Sequence, residues 1–294
     1  MKNKWLSTTN PAAYLYILPA FAFYFSFLLV PLFGTAYLSV FDWDGWGPDM
    51  EYVGLHNYVR MFADPVLGRA LMNTVIWVLM SYVIQIGLAL FLAVLIARIT
   101  IGRQTFRLMF FLPKVLSVAV VAVVWGRIYD PRIGIINQFL RVIGLEAFAL
   151  AWLGNPWTVL PAVQLAHSWN GYGWYMIIYL AGLQNVDPSL YDAASVEGAS
   201  GFQKFWHVTL PGIRHIHTVV LVLALIGAMQ AFGTVWAMTQ GGPVHRSEVL
   251  STLIYRVAFR TFRVGYGAAM SLLVGVGIIL ATLVMMKMRE HTNE

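Results

Sequence analysis

The sequence predicts an all-α integral membrane protein with six transmembrane helices and both termini on the cytoplasmic side. Of its 294 residues, 59% are hydrophobic and only 11% are charged, and the mean hydropathy is +0.70. A soluble domain carries about 25% charged residues. The apolar residues form long runs, and Lys and Arg gather in alternate connections between them. These three observations place the chain in lipid.

The long apolar runs define the predicted spans. A helix needs roughly 20 apolar residues to cross the hydrocarbon core, where its backbone groups must pair within the protein. Six stretches qualify: Ala13–Val40, Ala70–Ala97, Leu108–Trp125, part of Trp157–Leu183, Thr218–Met238 and Tyr266–Met286. We therefore expect a single membrane domain over residues 1–294, with its core at about 69–286.

The basic residues of the short loops predict the orientation, because Lys and Arg favour the cytoplasmic side. They lie at both ends and in two connections: Lys2, Lys4, Arg98, Arg103, Arg107, Lys204, Arg214, Lys287 and Arg289. The first connection is acidic and suits the outside. One loop disagrees, since the Arg-rich stretch 246–263 must face outward if there are six spans. Arg256, Arg260 and Arg263 have helical spacing, which predicts an amphipathic helix on the outer surface, although the placement of this stretch stays open.

Several classes of function are excluded by absent residue types. The chain has no Cys, which excludes disulfides and thiolate metal sites. Its three neighbouring histidines, His207, His215 and His217, have no acidic companions, so no metal site is predicted. The net charge of +6 suits cytoplasmic anchoring better than nucleic-acid binding. No G-x-x-x-x-G-K-[ST] sequence occurs, so the chain is not expected to bind or hydrolyse ATP in the P-loop manner.

One polar loop, residues 187–212, interrupts two long stretches without Asp, Glu, Lys or Arg. Asp187 and Pro188 can start a helix, and Gly198 with Gly201 permits a change of direction. Large aromatic residues follow, and Leu210-Pro211-Gly212 ends the second helix. The pattern predicts a cytoplasmic helix, glycine turn and short helix between spans four and five. Its aromatic surface favours a protein partner, although an interfacial helix lying on lipid is the alternative.

This loop resembles the cytoplasmic loop of the membrane-spanning subunits of binding-protein-dependent ABC importers. Their signature is E-A-A-x-x-D-G-A-x8-I-x-L-P. The matching residues here are Asp192, Ala193, Ala194, Glu197, Gly198, Ala199, Val208, Leu210 and Pro211. The spacing agrees throughout, and the departures at 192, 197 and 208 are conservative. In that family the loop docks into a cleft of the ATP-hydrolysing subunit. The resemblance implies that Glu197 and Gly198 shape the loop and that Phe205 enters the partner's socket.

Further stretches in order along the chain resemble the carbohydrate-uptake branch of this family. They are Tyr52–Pro65 with Asn73-Thr74, Arg107–Pro113, Trp125–Asn137, Met238–Pro243 and Ile254–Arg260. The branch handles oligosaccharides, polyols and glycerol phosphates, and the sequence does not say which. The resemblance implies a multi-pass protein of the cytoplasmic membrane of a bacterium or archaeon.

The resemblance also implies the partners. These are a dimer of ATP-binding subunits that hold ATP and Mg²⁺, a second homologous permease subunit and an extracytoplasmic solute-binding protein that delivers a sugar. This chain itself would need no cofactor. Whether the two permease subunits are identical is not fixed by the sequence.

Polar and aromatic residues within spans four and five are the candidate substrate path. They are Trp169, Asn170, Tyr172, Trp174, Tyr175, Gln230 and Phe232. Aromatic faces stack on sugar rings, and amides bond their hydroxyls, while intramembrane polar residues line paths or join helices. The simpler explanation is that the aromatic residues form an interfacial belt and that Asn170 bonds a neighbouring helix.

Two other functional classes remain as alternatives. A self-sufficient channel or ion-coupled carrier would call for acidic residues within spans, and the sequence has none there. A membrane enzyme acting on lipid would need clustered His and carboxylate residues at one membrane face. The chain shows neither pattern.

Overall fold

The computed structural model describes residues 11–290, and most of them are helical. The α-helices are α1 Pro11–Tyr24, α2 Val30–Leu38, α3 His56–Phe62, α4 Pro65–Met80, α5 Gly87–Arg98, α6 Arg103–Phe111, α7 Val118–Ile128, α8 Ile135–Val142, α9 Val159–Leu183, α10 Pro188–Val196, α11 Gly201–Lys204, α12 Leu210–Gly212, α13 Arg214–Met229, α14 Gly233–Met238, α15 Leu250–Tyr255 and α16 Val264–Glu290. The predicted all-α class is confirmed to the extent that most of the described residues are helical. One exception is a short antiparallel pair, β1 Phe41–Asp42 with β2 Glu51–Tyr52.

Short segments of other helix types extend the α-helices. Stretches of π-helix follow α1, α4, α11 and α15, and 3-10 turns follow α6 and α8. Their bounds are Phe25–Leu29, Ser81–Ile86, Phe205–Thr209, Arg256–Arg260, Leu112–Val115 and Glu146–Phe148. The stretch expected to form an Arg-bearing helix at 256–263 is therefore helical as far as Arg260.

Three helices of the described chain are long and apolar enough to cross a membrane by themselves. They are Leu15–Leu38, Pro65–Arg98 and Val264–Met288. Two sharply bent pairs raise the number to at most five: Arg103–Val115 with Val118–Ile128 at 96°, and Gly201–Gly212 with Arg214–Met229 at 75°. Six spans with cytoplasmic termini thus stay a prediction. Lys2 and Lys4, on which part of the orientation depends, lie outside the described residues.

The predicted fourth span illustrates why the count differs. Helix α9 has 25 residues, which is long enough to cross. Its middle holds His167, Ser168 and Asn170 beside glycines and aromatic residues, so its mean hydropathy is low. Many of its side chains are buried in the protein, which removes the need for an apolar surface all round. Composition alone therefore underestimates the capacity of α9 to cross a membrane.

The chain forms two compact units. The smaller comprises the chain up to Ala63 together with Ile254–Gly275. In this unit the Asn57 amide donates to the carbonyls of Ser39 and Phe41 at 3.0 and 2.9 Å. The prediction of a single membrane domain is not tested by this division.

The larger unit comprises Asp64–Leu253 and the chain from Val276, and α9 packs through its interior. Met176, Tyr179 and Leu180 of α9 join the buried cluster that contains Ala93 and Ile96 of α5. Where this cluster lies outside lipid, burial of its apolar surface stabilises the packing of α9 on α5 by about 25 cal/mol per Å² removed from water. Where it lies within lipid, close packing of small residues stabilises the same helix pair.

Buried polar contacts join the same elements. The Gln164 amide nitrogen donates to the Ser81 hydroxyl at 2.8 Å, and both residues are buried. Gly171 leaves room for the Gln85 side chain, which occupies the space that a Cβ atom would need. These contacts fix α9 against the helix of the second predicted span.

The predicted third span, Leu108–Trp125, is interrupted rather than continuous. Helix α6 ends at Phe111, a 3-10 turn follows, and Ser117 caps α7 by accepting from the Val120 N–H at 3.4 Å. Pro113 contributes to the break because it has no N–H to donate. The Asn170 amide donates to the Pro113 carbonyl at 2.6 Å and to the Leu116 carbonyl at 3.4 Å. A neighbouring helix therefore supplies donors to the broken turn.

A second irregular segment, residues 239–249, is held in a similar way. The Asn73 amide donates to the carbonyls of His245 and Glu248 at 3.1 and 2.8 Å. The Thr74 hydroxyl accepts from the Leu250 N–H at 3.0 Å. Glu248 is fully buried and contacts His245 Nδ1 at 2.9 Å. The Asn73-Thr74 pair thus anchors the connection after the fifth predicted span to the start of the second.

The close approach of α9 to the break gives a direct test. A Cβ atom on Gly173 would overlap the Phe110 carbonyl and lie 3.0 Å from the Phe111 Cα. We expect Gly173→Ala to destabilise the purified protein by about 1–3 kcal/mol, because rigid backbone must move. The measurement is the temperature at which the detergent-purified protein loses its monodisperse peak in size-exclusion chromatography.

Gly126→Ala is the matched control, since Gly126 also lies in a helix and a Cβ atom there meets nothing within 4 Å. Its effect should be neutral or slightly stabilising, by about 0.5–1 kcal/mol from helix propensity. Equal melting of the two variants would show that the approach to Phe110 is not tight.

Candidate functional site

The predicted loop between spans four and five begins with a capped helix. The Asp187 carboxylate accepts from the Ser189 N–H at 2.9 Å, and Pro188 occupies the first turn of α10. The hydrogen bonds from the Ser189 backbone and side chain hold the pKa of Asp187 below its usual value. The carboxylate therefore stays ionised and available as a cap at neutral pH.

Helix α10 ends in the glycine turn that the sequence predicts. Gly198 has a φ of +79°, which L side chains rarely adopt. The Ala199 N–H donates to the Ala194 carbonyl at 2.9 Å, and the Gly198 N–H donates to the Ser195 carbonyl at 3.1 Å. This is the paired hydrogen-bond pattern of a Schellman C-cap, which requires a left-handed residue at position 198.

A second capped helix follows at once. The Ser200 hydroxyl accepts from the Gln203 N–H at 3.3 Å, and the Gln203 side chain accepts from the Ser200 N–H at 2.7 Å. This capping box starts a helix that runs through a π-helical segment to Gly212. The predicted order of helix, glycine turn and short helix is confirmed.

Two side-chain bonds tie the two helices of the loop together. The Tyr191 hydroxyl donates to Thr209 Oγ1 at 3.0 Å, and the Lys204 ammonium donates to Ser195 Oγ at 2.7 Å. Each bond joins the first helix to the second. The loop is therefore a small helical hairpin with its own internal fixation.

The outer surface of this hairpin is aromatic and apolar. Phe202 is 73% exposed and Trp206 is 49% exposed, and their rings meet edge to face at 6.0 Å. Phe205, which the resemblance implies as the residue entering a partner, is half-buried and contacts Trp206 at 5.6 Å. The most exposed aromatic side chains are thus neighbours of Phe205, the residue that the resemblance implies. In the sequence, the spacing of four residues between Phe202 and Trp206 indicates that they share one face of a helix.

A groove of about 790 Å³ lies between the two helices of the hairpin. It is lined by most of the residues that carry the resemblance, namely Ala193, Ala194, Glu197, Gly198, Ala199, Val208 and Pro211. Asp192 is exposed beside it, and Leu210 is half-buried. The structure therefore brings the nine predicted loop residues into one hairpin, as a surface that a rigid partner can contact.

The hairpin is anchored in the core of the helical unit. Val186 and Ile213, which flank it in sequence, are both buried in the cluster that contains Leu180 of α9. A Cβ atom on Gly212 would contact Val186 at 2.9 Å, so the two ends of the loop lie against each other. Both ends of the hairpin are therefore packed against α9 and α13.

The predicted path residues of α9 divide between several neighbours. Trp169 meets Trp125 edge to face at 6.0 Å, and Asn170 bonds the broken turn after α6. Tyr172 is 7% exposed within the core cluster shared with α5. For Asn170 and Tyr172, contacts within the protein thus account for the positions of both side chains.

Trp174 and Tyr175 are placed differently from Tyr172. Trp174 is 48% exposed, and Tyr175 is half-buried with its hydroxyl directed towards Gly227 of α13. Leu223, Gly227 and Gln230 are all exposed and recur at intervals of four and three, so they form one face of α13. Tyr175 borders this face at Gly227.

Phe232 lies at a break in the predicted fifth span, which is not one continuous helix over Thr218–Met238. Helix α13 ends at Met229, α14 begins at Gly233, and the Ser251 hydroxyl donates to the intervening Ala231 carbonyl. Phe232 stacks on Trp236 with centroids 5.6 Å apart. Gln230 and Phe232 therefore flank an irregular turn. The use of all seven residues as a path stays a prediction.

Comparison with known proteins gives concordant matches over nearly the whole chain. Residues 85–290 match the family model described as "Binding-protein-dependent transport system inner membrane component". The chain is 36% identical to "Probable ABC transporter permease protein YurN" of Bacillus subtilis (strain 168), over 96% of this chain and 97% of that one.

A second relative and a solved structure agree with this match. The "Diacetylchitobiose uptake system permease protein NgcF" of Streptomyces coelicolor is 32% identical, over 90% of this chain and 78% of its own length. A crystal structure of a bacterial ABC transporter involved in the import of the acidic polysaccharide alginate contains a chain that superposes with a TM-score of 0.83. That chain is 25% identical, and the alignment covers 96% of both chains.

The left-handed turn at Gly198 can be tested apart from any partner. A Cβ atom there meets nothing within 4 Å, so the cost of a substitution is the backbone strain alone. We expect Gly198→Val to destabilise the turn by about 1–2 kcal/mol and Gly198→Asn by much less, because Asn tolerates the left-handed region. Hydrogen exchange of the amides of residues 198 and 199 measures this directly. Equal protection in the two variants would contradict the assigned C-cap.

Proposed function

Because the chain belongs to the family of binding-protein-dependent transport system inner membrane components, we propose that it forms half of the translocation pathway of an ATP-driven sugar importer. The predicted family is confirmed by the match over residues 85–290 and by relatives that cover nearly the whole chain. The chain is a multi-pass permease subunit of an ABC importer. The observation that carries the proposal is the anchored hairpin at 187–212, joined to a pathway-lining helix.

The substrate class is a carbohydrate. Support comes from the diacetylchitobiose permease relative, from the alginate transporter structure and from the aromatic residues of α9. Trp174 and Tyr175 offer ring faces, and Gln230 offers an amide. Aromatic rings bury the apolar faces of sugars, while amides and hydroxyls bond their ring hydroxyl groups. We infer that these three residues line the path, with Trp169 and Phe232 at its borders.

The topology that fits this role has six spans. The three long helices supply three crossings. We count one further crossing each for the bent pair at 103–128, for α9 and for α13 with α14, which gives six. Both termini are then cytoplasmic. The basic residues Arg98, Arg103 and Lys204 also fall on the cytoplasmic side, as the rule for Lys and Arg requires.

The proposed partners follow from the chain's own surfaces. The sequence has no P-loop, so separate ATP-binding subunits supply the binding and hydrolysis of ATP with Mg²⁺. Their contact is the exposed surface around Phe202 and Trp206. A second homologous permease subunit completes the pathway, and an extracytoplasmic binding protein delivers the sugar from outside.

The coupling mechanism uses the anchored ends of the hairpin. When the ATP-binding subunits close, they displace the hairpin as a rigid body, because its two helices are bonded to each other. Val186 and Ile213 pass this displacement to α9 and α13. These helices carry Tyr175 and the face of Gly227 and Gln230, so the path opens alternately to either side.

The decisive experiment isolates the tagged chain from its native membrane in mild detergent and identifies its companions by mass spectrometry. Co-purification of an ATPase and a second permease, with ATP-dependent sugar uptake in liposomes supplied with the binding protein, supports the proposal. Uptake by this chain alone without ATP would overturn it and revive the channel or carrier alternative.

The coupling surface gives a prediction with a matched control. Phe202→Ser removes the most exposed aromatic group of the hairpin and should weaken co-purification of the ATPase by about 10-fold, as loss of an interfacial anchor does. Phe259→Ser is the control, since Phe259 is 63% exposed in the 256–260 helical segment, which is predicted to face outward. Retention of the ATPase by Phe202→Ser would place the contact elsewhere.

The path gives a separate prediction that leaves the hairpin intact. Trp174→Ala should raise the KM for sugar uptake about 10-fold, because a stacking surface is lost, while co-purification of the ATPase is unchanged. Leu165→Ala is the control, since Leu165 is 41% exposed on the opposite side of the same helix. An unchanged KM in Trp174→Ala would remove this residue from the path.

A further inference from the structure

A second pocket, of about 530 Å³, lies behind the hairpin and is distinct from its outer groove. It is formed by the end of α5, the start of α6, the end of α9 and both helices of the hairpin. Three of its twelve lining residues are basic, namely Arg98, Arg103 and Lys204, and none is acidic. The pocket therefore concentrates positive charge in a recess that is otherwise apolar and neutral.

The charges of this pocket are not neutralised by the part of the chain that the structure describes. The ion pair found among the described residues joins His245 to Glu248, which are far from the pocket in sequence. The Arg103 Nε atom is buried without a hydrogen-bond partner among the described residues. Lys204 donates to a neutral hydroxyl, Ser195 Oγ. Buried guanidinium donors favour a bidentate anion such as a phosphate group.

An exposed apolar stripe leads along α5 to this pocket. Leu88, Phe91 and Leu95 are 38%, 60% and 43% exposed, and with Arg98 they recur at intervals of three, four and three. They therefore lie on one face of α5, and Arg98 ends the row. A molecule with an anionic head and apolar chains matches this arrangement, whereas a soluble anion leaves the stripe unused.

We infer that this pocket binds the phosphate headgroup of an anionic membrane lipid, whose acyl chains lie along the exposed face of α5. Basic pockets between membrane helices are recognised sites for such headgroups. The inference goes beyond the proposed transport function and does not depend on the identity of the sugar.

The lipid also reaches the coupling hairpin. Lys204 lines both the lipid pocket and the outer groove of the hairpin, and Tyr191 and Thr209 line the lipid pocket with their mutual hydrogen bond. A bound headgroup thus joins both hairpin helices to the basic turn between α5 and α6. Anionic lipid should therefore favour the anchored arrangement of the hairpin through which the ATPase acts.

The test is lipid binding by the delipidated full-length complex, measured by native mass spectrometry. Phosphatidylglycerol is titrated against phosphatidylcholine, which has the same chains but no net charge. We expect Arg98→Gln or Arg103→Gln to weaken phosphatidylglycerol binding about 5-fold each, and the double variant about 30-fold. Arg98→Lys, which keeps the charge, should retain most of the binding.

Lys287→Gln is the matched control, since Lys287 is an exposed basic residue on the side predicted to be cytoplasmic but does not line the pocket. Equal binding of the two lipids, or equal loss in Lys287→Gln, would overturn the inference. Retention of inorganic phosphate in place of lipid would overturn it as well. Loss of the ATPase from Arg98→Gln without any change in lipid binding would assign the charges to that partner instead. A negative result with normal wild-type uptake leaves the proposed transport function standing.

Discussion

Backbone carbonyls that leave a helix in the interior of a protein need donors from the protein itself, and in this chain asparagine side chains supply several of them. Four asparagines, at positions 57, 73, 137 and 170, each use one amide nitrogen to bond two carbonyls of an irregular segment. The carbonyls belong to Ser39 and Phe41, His245 and Glu248, Pro131 and Leu150, and Pro113 and Leu116 respectively. An amide carries two hydrogens on one planar group, so a single side chain can close a turn that a hydroxyl satisfies only in part. The irregular segments around the helices depend on these clamps.

The hairpin at residues 187–212 is held in the opposite way, and the contrast has a physical reason. Its helix ends are satisfied locally, by the Asp187 cap, the capping box at Ser200 and the C-cap at Gly198. Among residues 11–290, no asparagine from a distant helix takes part in these caps. Local caps suffice where water is available to complete hydrogen bonding, so the hairpin needs no donor from a distant helix. A segment clamped by a distant amide, such as residues 239–249, must instead move with the helix that holds it. The two kinds of fixation therefore distinguish a hairpin held by its own caps from irregular segments held by other helices.

The same distinction explains what the sequence could predict. The helix start at Asp187 and the turn at Gly198 depend on neighbours within a few residues, and both were predicted correctly. The break after α6 depends on Asn170, which is 57 residues away from Pro113, so local patterns suggested a continuous span. Tyr172 was predicted as a path residue because its type suits sugars, although its contacts with α5 are set by the packing. Asn57, Asn73 and Asn137 lie in the stretches that carried the resemblance to sugar permeases. Their shared role as clamps became visible only with the fold.

Helix α9 carries side chains held by contacts within the protein as well as exposed aromatic side chains. A polar group that already holds a partner within the protein must exchange that bond to contact a substrate, and the exchange gives little net energy. Gln164 and Asn170 are of this kind, since their amides bond Ser81 and the broken turn. An exposed aromatic face has no such competing contact, and a sugar that stacks on it gains the full benefit of removing apolar surface from water. Substrate contacts in this subunit are therefore expected from Trp174 and from the border formed by Tyr175 and Gln230, while the buried amides keep the helix in place.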